Sequence, residues 1–218
     1  MQKKLFIFDL DSTLLDTLKY WYKILNKDIF KHYNKKGKVN IQKMRRGLNN
    51  KEAAKLFIDV TGINVSQEEV EKFWEQRAIY YYLNKAKMII GVKKFLEKLK
   101  SKGYKLVLAT ATAKPAAKFA LERFDLLKYF DEIFTECDFD STKIKSNFWK
   151  QLFEKLGYKY EDAILFEDSF DSLKCAHEQG IDTCALLHSL NKCHHEDMKK
   201  MCLLTIKNYK DKKLNEIF

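Results

Sequence analysis

Leu5-Phe6-Ile7-Phe8-Asp9-Leu10-Asp11-Ser12-Thr13 decides how the rest of the chain is read. Its first four residues are apolar without alternation, the pattern of a strand covered on both faces, as strands of parallel sheets are. The run stops at Asp9, and Asp11, Ser12 and Thr13 follow at once. Carboxylates at the end of such a strand point to a ligand crevice, because open α/β sheets bind ligands outside the carboxyl ends of their strands.

Outward from this stretch, similar apolar runs recur at 105–109, 132–135, 163–166, 183–187 and 203–206. Helical faces separate most of them. Val92, Phe95, Leu96 and Leu99 form one stripe before Gly103; Phe148, Leu152, Phe153 and Leu156 form another before Gly157; Leu173, Ala176 and His177 lead to Gly180. Alternating strand and helix predicts an α/β fold, a doubly wound (Rossmann-like) parallel sheet. The interval from Leu14 to Ile90 breaks the alternation and carries no strand signal. It predicts helices over 17–33, 51–61 and 66–83, the last opened by a capping box of Ser66 and Glu69. The chain therefore makes one strand, leaves on a helical excursion and returns. This gives an α/β core domain of residues 1–15 and 88–218 and an inserted α-helical cap domain over 16–87, with hinges near 12–16 and 84–90.

Composition narrows the function. Hydrophobic residues make up 46% of the 218, with one Pro and seven Gly, so structure is expected throughout. The net charge of +11 comes from lysines dispersed along the chain, as at Lys93, Lys94, Lys98, Lys100 and Lys102. That is the pattern of a solvated surface rather than of a nucleic-acid-binding stripe. Five irregularly spaced cysteines suit reduced thiols, and no apolar run approaches the roughly 20 residues of a membrane span. The expectation is a cytoplasmic protein without a leader peptide, whose positive charge would also raise the local concentration of any small phosphorylated metabolite it acts on.

The strand ends supply the chemistry. The first run ends in Asp9 and Asp11, the second in Thr110, and the fourth in Glu167 and Asp168; Lys143 lies just before a helix after the third. Phosphoryl transfer needs a nucleophile in line, a metal on the phosphate oxygens and donors for the transferring group. One carboxylate of a pair can attack phosphorus while the other handles a proton. Asp168 adds a hard oxygen of the kind Mg²⁺ prefers, and Thr110 and Lys143 are placed to hold phosphoryl oxygens.

In order and spacing, these residues resemble the four motifs of the haloacid dehalogenase superfamily. Phe6 to Asp16, Leu106 to Thr112, Lys143 with the helix ending at Leu156-Gly157, and Ile164 to Ser169 with Ala176 and Gly180 match them in sequence. The resemblance implies that Asp9 is the nucleophile and forms an aspartyl-phosphate, while Asp11 protonates the leaving group and then activates water. It implies Mg²⁺ held by Asp9, the Asp11 carbonyl and Asp168, with Glu167 as a direct or an outer partner. Thr110 and Lys143, or Lys145 in its place, would stabilise the phosphoryl group. The excursion resembles the family's α-helical cap, with Arg45, Arg46 and Gly47 as its substrate loop and Thr112 and Trp21 also facing substrate. Two positions depart from the pattern: Ser12 stands where Gly is usual, implying a more restricted backbone, and Ile144 stands where Pro is usual.

Other readings are weighed against this one. A β-phosphoglucomutase-like phosphosugar mutase would carry a His where Trp21 stands, and Trp cannot relay a proton as His can. A non-catalytic phospho-ligand-binding protein would not need Asp9 and Asp168. Finally, His188, Cys193, His194 and His195 invite a zinc site, but they lack a second fitting pair.

Overall fold

The computed structural model describes residues 3–35 and 47–217. Its strands are β1 (Leu5–Phe8), β2 (Leu15–Asp16), β3 (Lys87–Met88), β4 (Lys105–Thr110), β5 (Glu132–Thr135), β6 (Ala163–Glu167), β7 (Asp182–Leu186) and β8 (Leu204–Ile206). Six of them form one parallel sheet in the order β5-β4-β1-β6-β7-β8. The core is the α/β fold expected from the alternation of runs. β1 is covered on both faces, as its unbroken apolar run requires. Leu5 and Ile7 pack with Phe148, Trp149 and Leu152 on one side, while Phe6 and Phe8 pack with Phe95, Phe166 and Tyr209 on the other. Each fully buried aromatic of this kind contributes about 1.5–3 kcal/mol.

The helices that flank the sheet are α5 (Val92–Ser101), α6 (Lys114–Arg123), α7 (Ser146–Leu156), α8 (Phe170–Glu178) and α9 (His195–Met201), numbered after the four among the described residues of the insertion. α7 stops at Gly157, whose φ of 69° is the left-handed conformation that ends a helix and that glycine adopts without strain. From β1 the chain builds the sheet outward through β4 and β5. It then returns to the opposite side of β1 for β6, β7 and β8. The order reverses at β1 and β6, which is where such sheets open a crevice.

Among the described residues, the insertion contains α1 (Leu18–Lys23), α2 (Ile29–His32), α3 (Asn50–Thr61) and α4 (Gln67–Asn84). The helix expected over 17–33 is one continuous path, with a π-helical turn over Ile24–Asp28 joining α1 to α2. α4 opens on the expected capping box, in which Ser66 N donates to Glu69 at 2.8 Å and Glu69 N donates to Ser66 Oγ at 3.2 Å. It packs on α6, and Arg123 of α6 donates to the carbonyl oxygens of Tyr82 and Ala86.

One expectation is corrected. The interval from Leu14 to Ile90 holds two short strands, β2 and β3, paired antiparallel with Leu15 opposite Met88 and Asp16 opposite Lys87. Two-residue strands have no periodicity to detect. They lie at the two ends of the insertion, where hinges were expected.

Ser12 follows Asp11 at φ 61°, a left-handed conformation, so the side chain did not keep the backbone out of the region glycine prefers. Its N–H donates to Leu15 O at 2.7 Å, which closes the turn onto β2. The Cβ is strained there, and its buried Oγ finds no partner among the described residues. Ser12→Gly is therefore expected to stabilise the fold by about 1 kcal/mol, raising the thermal midpoint by about 2–4 °C. A lower midpoint in calorimetry would refute this account of the turn.

Among the described residues, no helix is long and apolar enough to cross a membrane. All five cysteines are free.

Candidate active site

The register of the sheet builds the site. Phe8 is paired with Leu108 on one side and with Phe166 on the other. The next residues, Asp9 and Glu167, are therefore neighbours across strands that lie about 4.8 Å apart. Asp9 is anchored by its own N–H, which donates to Phe166 O at 3.0 Å. Thr110, at the end of β4, is fully buried.

Lys143 joins them from the loop before α7, as its position ahead of that helix suggested. Its ammonium donates to Asp9 Oδ1 at 2.5 Å, Glu167 Oε2 at 2.6 Å and Ala109 O at 3.2 Å. The loop is fixed from behind: Lys143 N donates to Glu136 and Trp149 Nε1 donates to Lys143 O. Lys145, the other candidate, is exposed at the start of α7.

Asp9, Glu167 and Asp168 can bring one oxygen each within 4.8 Å of one another, the one such metal-holding group among the described residues. Glu167 is fully engaged, with Oε2 on Lys143 and Oε1 accepting from the N–H groups of Asp168 and Ser169. Asp168 accepts from His188 Nε2 at 2.9 Å. The tautomer follows from the other ring nitrogen, since His188 Nδ1 accepts from Leu190 N at 3.2 Å. Among the described residues, no hydrogen bond reaches the second oxygen of Asp9 or of Asp168.

Burial, and then repulsion from Glu167, pushes both Asp9 and Asp168 well above the usual carboxylate range, with Lys143 opposing. Burial alone would strip the charge from Lys143, but Asp9 and Glu167 outweigh it and keep the ammonium protonated. One ammonium cannot neutralise two buried carboxylates and a third that is partly buried. The cluster is short of positive charge.

Asp11 is held differently. Thr17 Oγ1 donates to its Oδ1 at 2.6 Å and Thr112 Oγ1 to its Oδ2 at 2.6 Å, while Tyr82 OH reaches both oxygens at 2.8 and 2.9 Å. Thr112, expected to face substrate, lines the cavity, but its hydroxyl is on Asp11. Burial, then the charge of Asp11, raises the Tyr82 phenol well above its ordinary value, with hydrogen bonds from Thr112 and Trp21 opposing.

A cavity of about 540 Å³ opens over these groups. Its floor carries Asp9, Asp11, Thr110, Lys143, Glu167 and Asp168, and the insertion supplies Leu18, Trp21, Leu25, Gly47 and Leu48. Trp21 and Gly47 thus stand where substrate contacts were expected. Gly47, at φ 81°, lies so close to Ile144 that a Cβ would come within 2.9 Å of its Cδ1. Arg45 and Arg46 lie outside the described residues. The zinc reading finds no support in the geometry: His194 stacks on Phe170, and His195 bonds to Asn191 and the His188 carbonyl.

Four partners escaped the sequence reading. His188 ends the fifth apolar run, so the rule that found Asp168 applied to it equally. Asn191, which donates to Asp168 O, sits three residues beyond it. Thr17 and Tyr82 carry no signal of their own.

A parallel sheet whose switch point presents an aspartate, a lysine and a second acidic strand end beneath a helical insertion defines a class of α/β hydrolases that handle phosphoryl-like groups. The profile of the haloacid dehalogenase-like hydrolases matches residues 6–186, and the chain belongs to that family. Over 186 residues it is 28% identical to the phosphorylated carbohydrates phosphatase of Thermotoga maritima, covering 85% of this chain and 86% of that protein. The crystal structure of a T. maritima protein assigned as a β-phosphoglucomutase is 26% identical and superposes with a TM-score of 0.73 over the whole of both chains. CbbY of Rhodobacter sphaeroides, solved with phosphate, shares the fold at a TM-score of 0.79 and 16% identity over 95% of each chain.

Proposed function

We propose that this chain is a Mg²⁺-dependent phosphatase that hydrolyses a small phosphorylated carbohydrate through an aspartyl-phosphate on Asp9. The observation that carries the reading is the Lys143 ammonium seated between Asp9 and Glu167, with Asp168 beside them, at the reversal of strand order. The donor set fits Mg²⁺: hard carboxylate oxygens, buried, with negative charge in excess. Asp9, Asp168 and the Asp11 carbonyl would hold the ion, which when bound draws charge from the phosphoryl oxygens. Glu167, with both oxygens engaged, serves by holding Lys143 and the turn after β6.

An Asp9 oxygen attacks phosphorus as the bond to the leaving oxygen breaks, and Asp11, protonated, gives that oxygen its proton. Asp11 then takes a proton from water, whose oxygen attacks phosphorus and releases phosphate from Asp9. Lys143, whose three protons lie on Asp9, Glu167 and the Ala109 carbonyl oxygen in the free protein, turns one of them to a phosphoryl oxygen when substrate binds. Thr110 Oγ1 accepts from Thr112 N at 3.2 Å, which leaves its own proton for the same purpose. Residues 16–87 act as the cap, hinged on the β2–β3 ribbon, and Trp21, Leu25 and Leu48 close over the sugar.

A mutase is disfavoured by the insertion itself. His32 is its only histidine, and that ring stacks on Phe73 at 4.5 Å rather than lining the cavity. The test is a panel of sugar phosphates assayed for inorganic phosphate with and without Mg²⁺. Mg²⁺-dependent release is expected. Conversion of β-glucose 1-phosphate to its 6-phosphate without release would overturn the reading.

His188 orients Asp168 through its Nε2 proton. Partners of this kind typically contribute about 10- to 100-fold in metal affinity. His188→Ala is expected to weaken Mg²⁺ binding about tenfold by titration calorimetry; unchanged affinity would remove His188 from this role.

A further inference from the structure

We propose that Tyr82 is a positioning residue for Asp11, fixing the plane of its carboxylate by bridging both of its oxygens; this rests on the phosphatase reading above. The side-chain partners of Asp11 among the described residues are all hydroxyls: Thr17, Thr112 and Tyr82. That choice suits a group that must be an acid in one half-reaction and a base in the other. An ammonium or amide N–H can only donate, so it serves the carboxylate and opposes the acid. A hydroxyl can turn, donating to the carboxylate and accepting from the carboxylic acid.

The three hydroxyls are not equivalent. Thr17 reaches one oxygen of Asp11 and Thr112 the other, and each hydroxyl has a second neighbour, the Leu15 carbonyl oxygen at 3.3 Å for Thr17 and the Tyr82 hydroxyl at 3.2 Å for Thr112. Tyr82 alone reaches both, at 2.8 and 2.9 Å. It is also fixed at both ends. Its ring is 1% exposed, and Arg123 grips its carbonyl. The phenol therefore sets the carboxylate plane, and the two threonines follow it. Without the phenol oxygen, Asp11 keeps two donors but loses the one that bridges its oxygens.

The experiment is Tyr82→Phe, which keeps the ring and its packing, read on two esters. With an alkyl phosphate, whose leaving oxygen needs a proton, formation of the phosphoenzyme is expected to slow about tenfold or more with KM within about twofold. With p-nitrophenyl phosphate, whose leaving group needs none, the pre-steady-state burst is expected within about twofold of wild type. A general structural role would slow both alike, and equal losses, or no loss on the alkyl ester, overturn the proposal. A double variant with Asp11→Asn reads the coupling independently: Tyr82→Phe should then cost nothing further on the alkyl ester, and losses that multiply overturn the proposal. Failure of the phosphatase reading looks different. Wild type would release no phosphate from either ester, or Asp9→Asn would match it, and Tyr82 would fall with that reading. An active wild type with a flat Tyr82→Phe response rejects the positioning role alone.

Discussion

Asp9→Asn is expected to lower phosphate release by about three orders of magnitude or more and, at the same time, to raise the thermal midpoint of the metal-free protein. The first effect follows from chemistry: an amide cannot attack phosphorus and leave again as a carboxylate does. The second follows from electrostatics. Asp9 is buried beside Glu167 and Asp168, and burial, then that repulsion, lifts its pKa well above the ordinary range. The fold thus disfavours the charge that the reaction requires. Removing one member of a buried ion pair is ordinarily costly because the partner is stranded. Lys143 would not be stranded, since Glu167 Oε2 remains at 2.6 Å. An asparagine has the same shape without the charge. A gain of about 1 kcal/mol or more, hence about 2–4 °C, is expected in calorimetry with chelator present. An active Asp9→Asn would sink the nucleophile assignment. An inactive but destabilised variant would show that the Lys143 pair outweighs the carboxylate repulsion.

This conflict between stability and activity also explains why the site was readable from the sequence. Carboxylates at the ends of buried strands have no structural reason to be there, so Asp9, Glu167 and Asp168 stood out against Leu5 to Phe8 and Ala163 to Phe166. Thr110 and Lys143 were legible only as members of the set, each being an ordinary residue in its own segment. His188 was equally available at a strand end but was read among its cysteine and histidine neighbours instead. Tyr82 was out of reach. It lies 71 residues from Asp11, within Tyr80-Tyr81-Tyr82. Which of those rings turns inward depends on how α4 seats on α6, and no local pattern encodes that. The sheet was legible because unbroken apolar runs survive inspection one at a time. The β2–β3 ribbon and the π-turn at Ile24–Asp28 were not, because a two-residue strand and a single inserted residue leave helical and strand periodicities almost unchanged.

Mg²⁺ should stabilise the protein strongly at neutral pH and progressively less on acidification. Asp9 and Asp168 have folded-state pKa values well above those of the unfolded chain, with burial the first cause and Glu167 the second. The native state therefore binds more protons than the unfolded state across the interval between those values. Stability then falls as pH rises through the raised pKa values, so the metal-free protein should melt higher at about pH 5 than at about pH 8. His188 works the other way, because burial lowers its pKa and charging it opposes folding; two carboxylates against one imidazole still leave a net fall. Asp125, held to about 2 by Lys128 and Lys93, is ionised throughout and adds no slope. Mg²⁺ replaces the protons that the cluster would otherwise take up, so its affinity drops as pH falls. At a concentration 100 times its dissociation constant it should add about 2.7 kcal/mol, a shift of roughly 5–10 °C for a chain of this size. Thermal scans with Mg²⁺ or chelator from about pH 5 to about pH 8 measure both effects. Asp9→Asn should lessen the metal-free slope and shrink the Mg²⁺ shift together, because the Asp9 carboxylate contributes to both and Asp168 alone remains. A metal-free midpoint that climbs over that interval, or a Mg²⁺ shift that ignores pH, would mean that the excess negative charge is relieved by something other than protons and the cation.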